Sequence, residues 1–375
     1  MSEWKEYKLG DLLKIKYGKD HKKLGDGDIP IYGSGGIMRT GNAYLSDKPS
    51  VLIPRKGTLS NIFYVEEPFW TVDTMFWSEI NDSIVIPKYL YYAIKDYKWD
   101  SLNVGSAVPS LTVPVIESVT VSIPSIELQL RISAQLSEID SKIAVNRRIC
   151  ENLEAQALFK HWFIDFAPFK NGQFVESELG MIPEGWRVGT LEELCSFISR
   201  GLSPKYQFGT NELVLGQTCV RNNIVTLNNA REHLPKENSN KYVKKWDVLL
   251  NSTGIGSLGR VGVVYFDKTN VCFDSHLTVV RTKEDIYRYY VGRNLLNRQK
   301  ELENMAVGST GQTELPKKDV LVMSILIPNS DVLPEFNEII ENIGNCIYTL
   351  IEENLRLSTL RDTLLPKLMS GQIKV

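Results

Sequence analysis

The sequence predicts an α+β chain in which two mixed α/β globules are separated by two long helices packed as an antiparallel coiled coil, an internal duplication with pseudo-two-fold symmetry. Three observations lead there. Phrases recur in the same order at a near-constant spacing, each copy changes composition part-way along, and the part of each copy without interior Pro carries a heptad of apolar residues.

The repeat comes first. EWKEYKLGDLLKIKYGK (Glu3 to Lys19) is answered by GWRVGTLEELCSFISRG (Gly185 to Gly201), which sets Trp4 against Trp186, 182 residues apart. Val104-Gly105-Ser106 returns as Val307-Gly308-Ser309 at 203, Ile123-Pro124 as Ile327-Pro328 at 204, and Asn152-Leu153 as Asn354-Leu355 at 202. The spacing grows early and then holds, so the second copy carries about 20 extra loop residues.

Residues 1–124, rich in Gly, Pro and β-branched residues, form the first globule and end at a Pro stop. From Ser125 to Phe163 the positions Leu136, Ile139, Ile143, Asn146, Cys150, Leu153 and Ala157 alternate in steps of three and four, which predicts the first spacer helix over 125–167. Phe166 to Trp186 is punctuated by Pro and Gly and reads as a linker, assigned to 168–180. The second globule covers 181–328. A second helix and tail cover 329–375, with a seam of Phe336, Ile340, Ile343, Ile347, Leu350, Asn354, Leu357 and, past a weak Arg361, Leu364. At 1.5 Å per residue the two Pro-free segments, 39 and 32 residues, would span roughly 58 and 48 Å, longer than a small domain is wide. Packing them on each other buries both stripes and lets Asn146 and Asn354 fix the register. The other arrangement this pattern allows is an amphipathic helix packed on its own globule.

Composition narrows the class. With 43% hydrophobic and 23% charged residues and a net charge of −2, the chain is globular in type. No apolar run approaches the ~18 to 20 residues of a membrane span, and the opening MSEWKEYKLGDLLK lacks a signal pattern. Cys150, Cys195, Cys219, Cys272 and Cys346 are an odd number without a Cys-x-x-Cys pair, which fits reduced thiols in a cytoplasm.

Catalytic signals are weak. Gly254-Ile255-Gly256-Ser257-Leu258-Gly259 has the spacing of a dinucleotide fingerprint, but such a loop should open a helix, and Arg260-Val-Gly-Val-Val-Tyr-Phe266 reads as a strand. The first copy offers Ser50-Val-Leu-Ile-Pro-Arg-Lys-Gly57-Thr-Leu-Ser-Asn-Ile-Phe-Tyr64, again strand, polar glycine loop, strand. The Tyr32 to Gly36 cluster lacks the Lys-[Ser/Thr] ending of a P-loop. His21, His161, His233 and His276 are scattered, so no metal is expected. No Asn-Pro-Pro-Tyr type tetrapeptide, nucleophile elbow or acidic nuclease cluster is present. Charge favours recognition only in part. Residues 181–328 carry 19 basic against 15 acidic side chains, whereas 1–124 carry 14 against 15. Basic groups do gather in polar loops, at Lys19 to Lys23, Arg55-Lys56 and Arg260. Phe159, Trp162, Phe163 and Phe166 form one broad face that either packs on a neighbouring domain or takes a partner.

Four stretches carry a family resemblance. They are the paired Trp openings, Pro49 to Phe76, ENLEAQALFKHWFIDFAPF (Glu151 to Phe169) running into IPEGW, and NLRLSTLRDTLLPKLMSGQIKV (Asn354 to Val375). Through them the whole chain resembles the specificity subunit of a bacterial Type I restriction-modification system. The resemblance implies two target-recognition domains, each reading half of a split site in double-stranded DNA, and two spacer helices. It implies no catalysis and no cofactor in this chain. DNA methylation and cleavage would lie in partners: two adenine methyltransferase subunits using S-adenosylmethionine and, where present, restriction/translocase subunits using ATP and Mg. One departure is Pro54, where such loops commonly have glycine, so the backbone before Arg55-Lys56 is expected to be stiffer.

The matching strand-loop-strand placement then nominates DNA contacts. In the first globule these are Lys19, Tyr32, Gly33, Ser34, Gly35, Gly36, Arg39, Arg55, Lys56 and Thr58; in the second, Arg221, Asn251, Ser252, Thr253, Gly254, Ser257 and Arg260. Phe159, Trp162 and Phe163, with Leu360, Leu364, Leu365 and Leu368, are expected to leave apolar surface for two equivalent methyltransferase docking places. Two other readings stay open on residues alone: a nucleotide-binding enzyme using Gly254 to Gly259, and a coiled-coil scaffold with no DNA role.

Overall fold

The computed structural model describes residues 4–152, 155–236, 240–254, 256–308 and 313–373. Leu153 of the heptad seam, Ile255 of the glycine loop and Ser309 of the repeated triplet lie outside the described residues. The chain divides into two compact units, residues 1–143 with 356–375, and residues 144–355.

In the first unit, β1 (Lys5–Lys8) leads through a single helical turn, α1 (Leu9–Leu12), into β2 (Leu13–Tyr17). Leu9 and Leu12 are wholly buried, and the Asp11 carboxylate accepts from the Lys8 N–H at 3.2 Å to cap the turn. Then come β3 (Ile29–Gly33), β4 (Gly36–Gly41), β5 (Ser50–Pro54), β6 (Phe63–Val65), β7 (Trp70–Thr71) and β8 (Met75–Ile80), in two sheets of order β2-β8-β5-β6 and β4-β3-β7. β5 is buried along its whole length, as its unbroken apolar run requires. Helices α2 (Pro87–Lys95) and α3 (Val113–Glu117) return the chain to β9 (Thr120–Ile123), which pairs antiparallel with β1 before α4 (Ile126–Asn152) begins.

The second unit starts within α4 and continues through α5 (Ala155–Phe163), β10 (Phe174–Ser177), β11 (Gly180–Pro183), β12 (Arg187–Thr190), α6 (Leu191–Leu194) and β13 (Cys195–Arg200). Next are β14 (Leu213–Leu215), β15 (Val220–Arg221), β16 (Ile224–Val225), β17 (Arg231–Glu232), β18 (Val248–Asn251), β19 (Val261–Val263), β20 (Val271–Phe273) and β21 (Leu277–Thr282). Finally α7 (Arg288–Asn297), α8 (Gln299–Asn304), α9 (Lys317–Leu321) and β22 (Ser324–Ile327) lead into α10 (Leu333–Met369). Its two main sheets run β13-β21-β18-β19-β16-β15 and β17-β14-β20.

The duplication is visible as register. Lys5 pairs with Ile123 and Arg187 with Ile327, while Leu13 pairs with Ile80 and Cys195 with Thr282. Pro54 faces Met75 as Asn251 faces Leu277, and β3 lies parallel to β7 as β14 lies parallel to β20. Both units therefore share one scaffold, each with its own core.

The helices depart from the expectation in phase. Leu136, Ile143 and Asn146 are buried, but Ala157 is exposed, and Ala155, Phe159, Trp162 and Phe163 turn inward instead. The heptad phase does not carry through to Phe163, because the face that α5 buries is set by the aromatic core of its unit. Within the first unit, Ile132 and Leu136 of α4 share a core with Leu365 and Leu368 of α10, and Asp140 pairs with Arg361 at 2.8 Å. Rising numbers on α4 meet falling numbers on α10, so the two run antiparallel there. Within the second unit the Asn146 amide donates to Glu353 at 2.7 Å and to Asn354 at 3.0 Å. The expected linker also differs. It folds into a 3-10 turn, Ala167–Phe169, and the β10–β11 hairpin, with the Phe166 and Phe169 rings edge-on to Trp186 at 5.8 and 5.0 Å between centroids. Aromatic burial there outweighs the Pro and Gly punctuation.

Candidate nucleic-acid interface

In the first unit three loops meet at the open ends of β2, β3 and β5. The Lys56 position bridges to Ser110, the Gly57 N–H donates to the Pro109 carbonyl at 3.0 Å, and the Leu111 N–H donates to the Arg55 carbonyl at 2.9 Å. Asn61 donates to the Ser34 carbonyl at 2.7 Å, which ties the Tyr32–Gly36 turn to the same cluster. Gly57 has φ +97° and a Cβ there would lie 2.8 Å from Ser34 Oγ, so only glycine fits between the loops. Lys56 and Thr58 are exposed on the result, and the Arg55 guanidinium stands 5.6 Å from the exposed Tyr17 ring, donating to the Asp73 carbonyl at 3.2 Å. Lys19 is exposed where β2 ends, and its N–H donates to the Thr71 carbonyl at 2.9 Å.

The second unit repeats the frame. Thr253 bridges to Glu314, the Leu315 N–H donates to the Ser252 carbonyl at 2.8 Å, and Gly254 has φ +95°. Registers therefore place Lys56 with Thr253, Gly57 with Gly254, Ser34 with Gln217, Thr74 with His276 and Ser110 with Glu314. The backbone is held in common and the side chains differ. Thr253 Oγ1 lies 2.8 Å from both Gln217 Nε2 and His276 Nδ1, and Arg200 pairs with Glu314 at 3.1 Å. The Lys241 ammonium, held below its usual range by burial and then by Lys317 and Lys236, marks a further basic patch in this unit.

Several nominated residues are corrected. Asn251 and Ser252 are buried: Asn251 donates to the Gln217 carbonyl at 3.3 Å and Ser252 Oγ lies 2.5 Å from Thr278 Oγ1, so both brace the loop from behind. Arg221 stands in the β15–β16 hairpin beside the Val263 and Val248 end of the sheet, whereas the loop grows from the Asn251 end, so the two do not come together. Arg39 donates to the His21 and Leu24 carbonyls at 2.6 and 3.1 Å and pins its own loop. Arg260 likewise folds back onto the Gly256 carbonyl at 2.8 Å, beside the half-buried Ser257. The glycine loop joins two antiparallel strands, β18 and β19, and opens no helix.

The expected apolar docking faces are corrected too. Phe159, Trp162 and Phe163 are buried against Tyr290, Phe336 and Trp186, and Leu365 and Leu368 lie in the first unit's core. Leu364 is half-buried, and Leu360 alone of the seven is exposed, at 48%. A long aromatic stripe is the cheapest available filling for a unit with a large sheet, which is why it turns inward.

Sequence reasoning missed Gln217, His276, Arg200 and the loop from Asn103 to Ser110. The signal was present in the recurring Val-Gly-Ser phrase, a loop phrase repeated in otherwise different globules. Ile37 and Met38, exposed beside the Gly33–Gly36 turn, were also missed. Burial pushes the Cys195 and Cys272 thiols up to about 12, and all five cysteines are free. Among the described residues there is no cluster of three or more His, Cys, Asp or Glu side chains suited to a metal, and no helix long and apolar enough to cross a membrane.

Two loop platforms on duplicated frames, presenting different polar side chains from one backbone, are the build of a recognition protein. The chain belongs to the family described as Type I restriction modification DNA specificity domain, which matches residues 1–155 and 183–356. It is a specificity subunit, the part that recognises the DNA target, and catalysis belongs to other subunits. It is 29% identical over 355 residues to the Type I restriction enzyme MjaIX specificity subunit of Methanocaldococcus jannaschii, covering 88% of this chain and 78% of that one. It is 23% identical over 404 residues to the MjaVIII specificity subunit of the same organism, covering 100% and 93%. The fold resembles the crystal structure of a Type I restriction-modification S subunit from M. genitalium, with TM-score 0.51 and 16% identity over 98% of this chain and 96% of that one.

Proposed function

We propose that each loop platform reads one half of a bipartite target in double-stranded DNA. Residues 1–124 and 181–328 act as the two target-recognition domains, 125–167 and 329–375 as spacers, and 168–180 as the folded link between them. The observation that carries this reading is the shared backbone with exchanged side chains, since Lys56 against Thr253 and Ser34 against Gln217 present different donors and acceptors from one frame. Two readers so built recognise two different half-sites. The contacts fall on Lys19, Tyr32 to Gly36, Arg55, Lys56 and Thr58 in the first unit and on Thr253, Gly254, Ser257 and His276, with Gln217 behind Thr253, in the second. Lysines set phosphate affinity, Arg55 offers guanidinium donors to a base edge, and Gln217, whose amide nitrogen donates to the Thr253 carbonyl and hydroxyl, orients the Thr253 tip.

The partners in this reading are two adenine methyltransferase subunits, which bring S-adenosylmethionine, and a restriction/translocase subunit using ATP and Mg. For the docking of a methyltransferase subunit we assign the groove of about 580 Å3 over the buried aromatic cluster, whose exposed lining is Ile164, Leu179, Asn297 and Glu301. Methylome sequencing of strains with and without this gene tests the function. Adenine methylation at one split motif should vanish with the gene; an unchanged methylome, or loss of a single continuous motif, refutes the bipartite reading.

A further inference from the structure

Between the end of β13 and the start of β14 the second unit carries a loop, 203–211, of the same length as 20–28 in the first. Gly18 and Gly201 fix the front of both: each donates its N–H, to the Met75 and Leu277 carbonyls at 3.0 and 3.1 Å, and a Cβ on either would meet a carbonyl oxygen 2.0 Å away. Ile31 and Val214 fix the back, one facing Arg39 and the other Arg231. Position for position, Lys22 then matches Lys205, both exposed, and Gly25 matches Phe208.

The matched arginines serve the same end by different chemistry. Arg39 binds the His21 and Leu24 carbonyls of its loop, whereas Arg231 lies 3.8 Å over the Tyr206 ring and donates to the Tyr206 hydroxyl. The second loop is tied further. Gln207 donates its N–H to the Glu232 carbonyl at 3.3 Å, Leu234 donates to the Lys205 carbonyl at 2.8 Å, Gly209 donates to the Glu232 carboxylate, and Thr210 Oγ1 donates to the His233 carbonyl at 2.8 Å. His233 is itself buried, 2.9 Å from Cys272 Sγ. On this braced turn stands Phe208, 95% exposed.

An aromatic ring so exposed gives the fold almost nothing. A loose tip would carry it without consequence, but this loop is held on both sides, and Lys205 to Gln207 runs in the direction of β14, toward the end that carries Gln217. The ring is thus presented on a loop that also carries the exposed Lys205 and is braced by Arg231. We propose that Phe208 stacks on a base of the second half-site, wedging into a base step while Lys205 holds the adjoining phosphate. This rests on the reading of the second unit as a DNA reader. Base-aromatic stacking tolerates any base yet favours steps that unstack readily, such as TA and CA, so Phe208 adds selection by deformability to hydrogen-bond readout at the Thr253 tip that Gln217 orients.

The test uses the tagged full chain purified from its own host with the subunits that accompany it, and a duplex bearing the motif found by methylome sequencing with 2-aminopurine placed in turn at each adenine or guanine of the second half-site. Wild type should raise the fluorescence at one step. Phe208→Ala should abolish that rise and weaken binding roughly 5- to 100-fold without changing the salt dependence, while Phe208→Trp should restore both. Lys205→Ala should instead lower the slope of log affinity against log salt by about 1. If Phe208→Ala binds like wild type, or if no 2-aminopurine responds to wild-type binding, the wedge is refuted and the reader stands. If wild type fails to prefer this duplex over a scrambled one, the reader falls and the wedge with it.

Discussion

At the scale of single residues, the two platforms separate groups that hold a loop from groups that face outward. Arg39, Arg260, Asn251 and Ser252 all carry side chains suited to bases, yet each is engaged within its own unit. A residue type in a polar loop says what it can bind, and only its hydrogen-bond partners say whether it is free to do so. Lys56, exposed at its tip, and Gln217, which acts on the second tip through its bonds to Thr253, make a contrast testable. Lys56→Ala should weaken binding to matched and mismatched duplexes alike and reduce the salt slope by about 1, whereas Gln217→Ala should cost about 1–3 kcal/mol on the matched duplex and relax choice at one position. Affinity measured on target and single-mismatch duplexes over a salt series distinguishes them. Equal losses across all duplexes for Gln217→Ala would remove it from base readout.

At the scale of elements, the aromatic face of α5 shows how one amphipathic pattern serves two uses. Phe163 lies 4.8 Å from both the Tyr290 and Phe336 rings and 5.8 Å from Trp186, so the face cements α5, α7, α10 and the start of β12 into one core. Trp162→Ser with Phe163→Ser should therefore cost several kcal/mol, about 3–5 for each large aromatic truncated, and lower the thermal midpoint or prevent folding. Thermal unfolding followed by circular dichroism checks this; an unchanged midpoint with weakened assembly would return the pair to partner docking. The helix seam behaves differently. Asn146 meets Asn354 and Glu353, and Arg361, its guanidinium pKa raised by hydrogen bonds and charge from Asp140 and Asp362 against the cost of burial, meets Asp140. Polar pairs at such positions admit one register where an all-apolar seam admits several.

At the scale of the whole molecule, duplication is the organising fact. Because the two readers share a frame and differ at their tips, half-site sequence and half-site spacing are expected to vary independently. Lengthening α4 and α10 together by one full turn should change the preferred gap in the methylome while the half-site bases stay the same, for a spacing near one helical turn of DNA, ~10 bp centre to centre. A change in half-site bases would mean that the helices take part in readout.

By itself the sequence determined the class, the duplication and the alternation of globule and helix, because these rest on features local to the chain: phrases at a constant spacing, heptad steps, Pro stops and the absence of catalytic spacing. It also located the loops at Arg55 to Thr58 and Thr253 to Gly254, since strand, glycine and strand are adjacent along the chain. Tertiary structure alone decided which side chains face outward. Ala157 turns out and Phe159 in because α5 takes its phase from the core beneath it, Arg221 lies at the wrong end of its sheet, and Gln217 and His276 reach Thr253 from distant strands. Such meetings depend on strand pairing between residues far apart in sequence, and no local pattern encodes them.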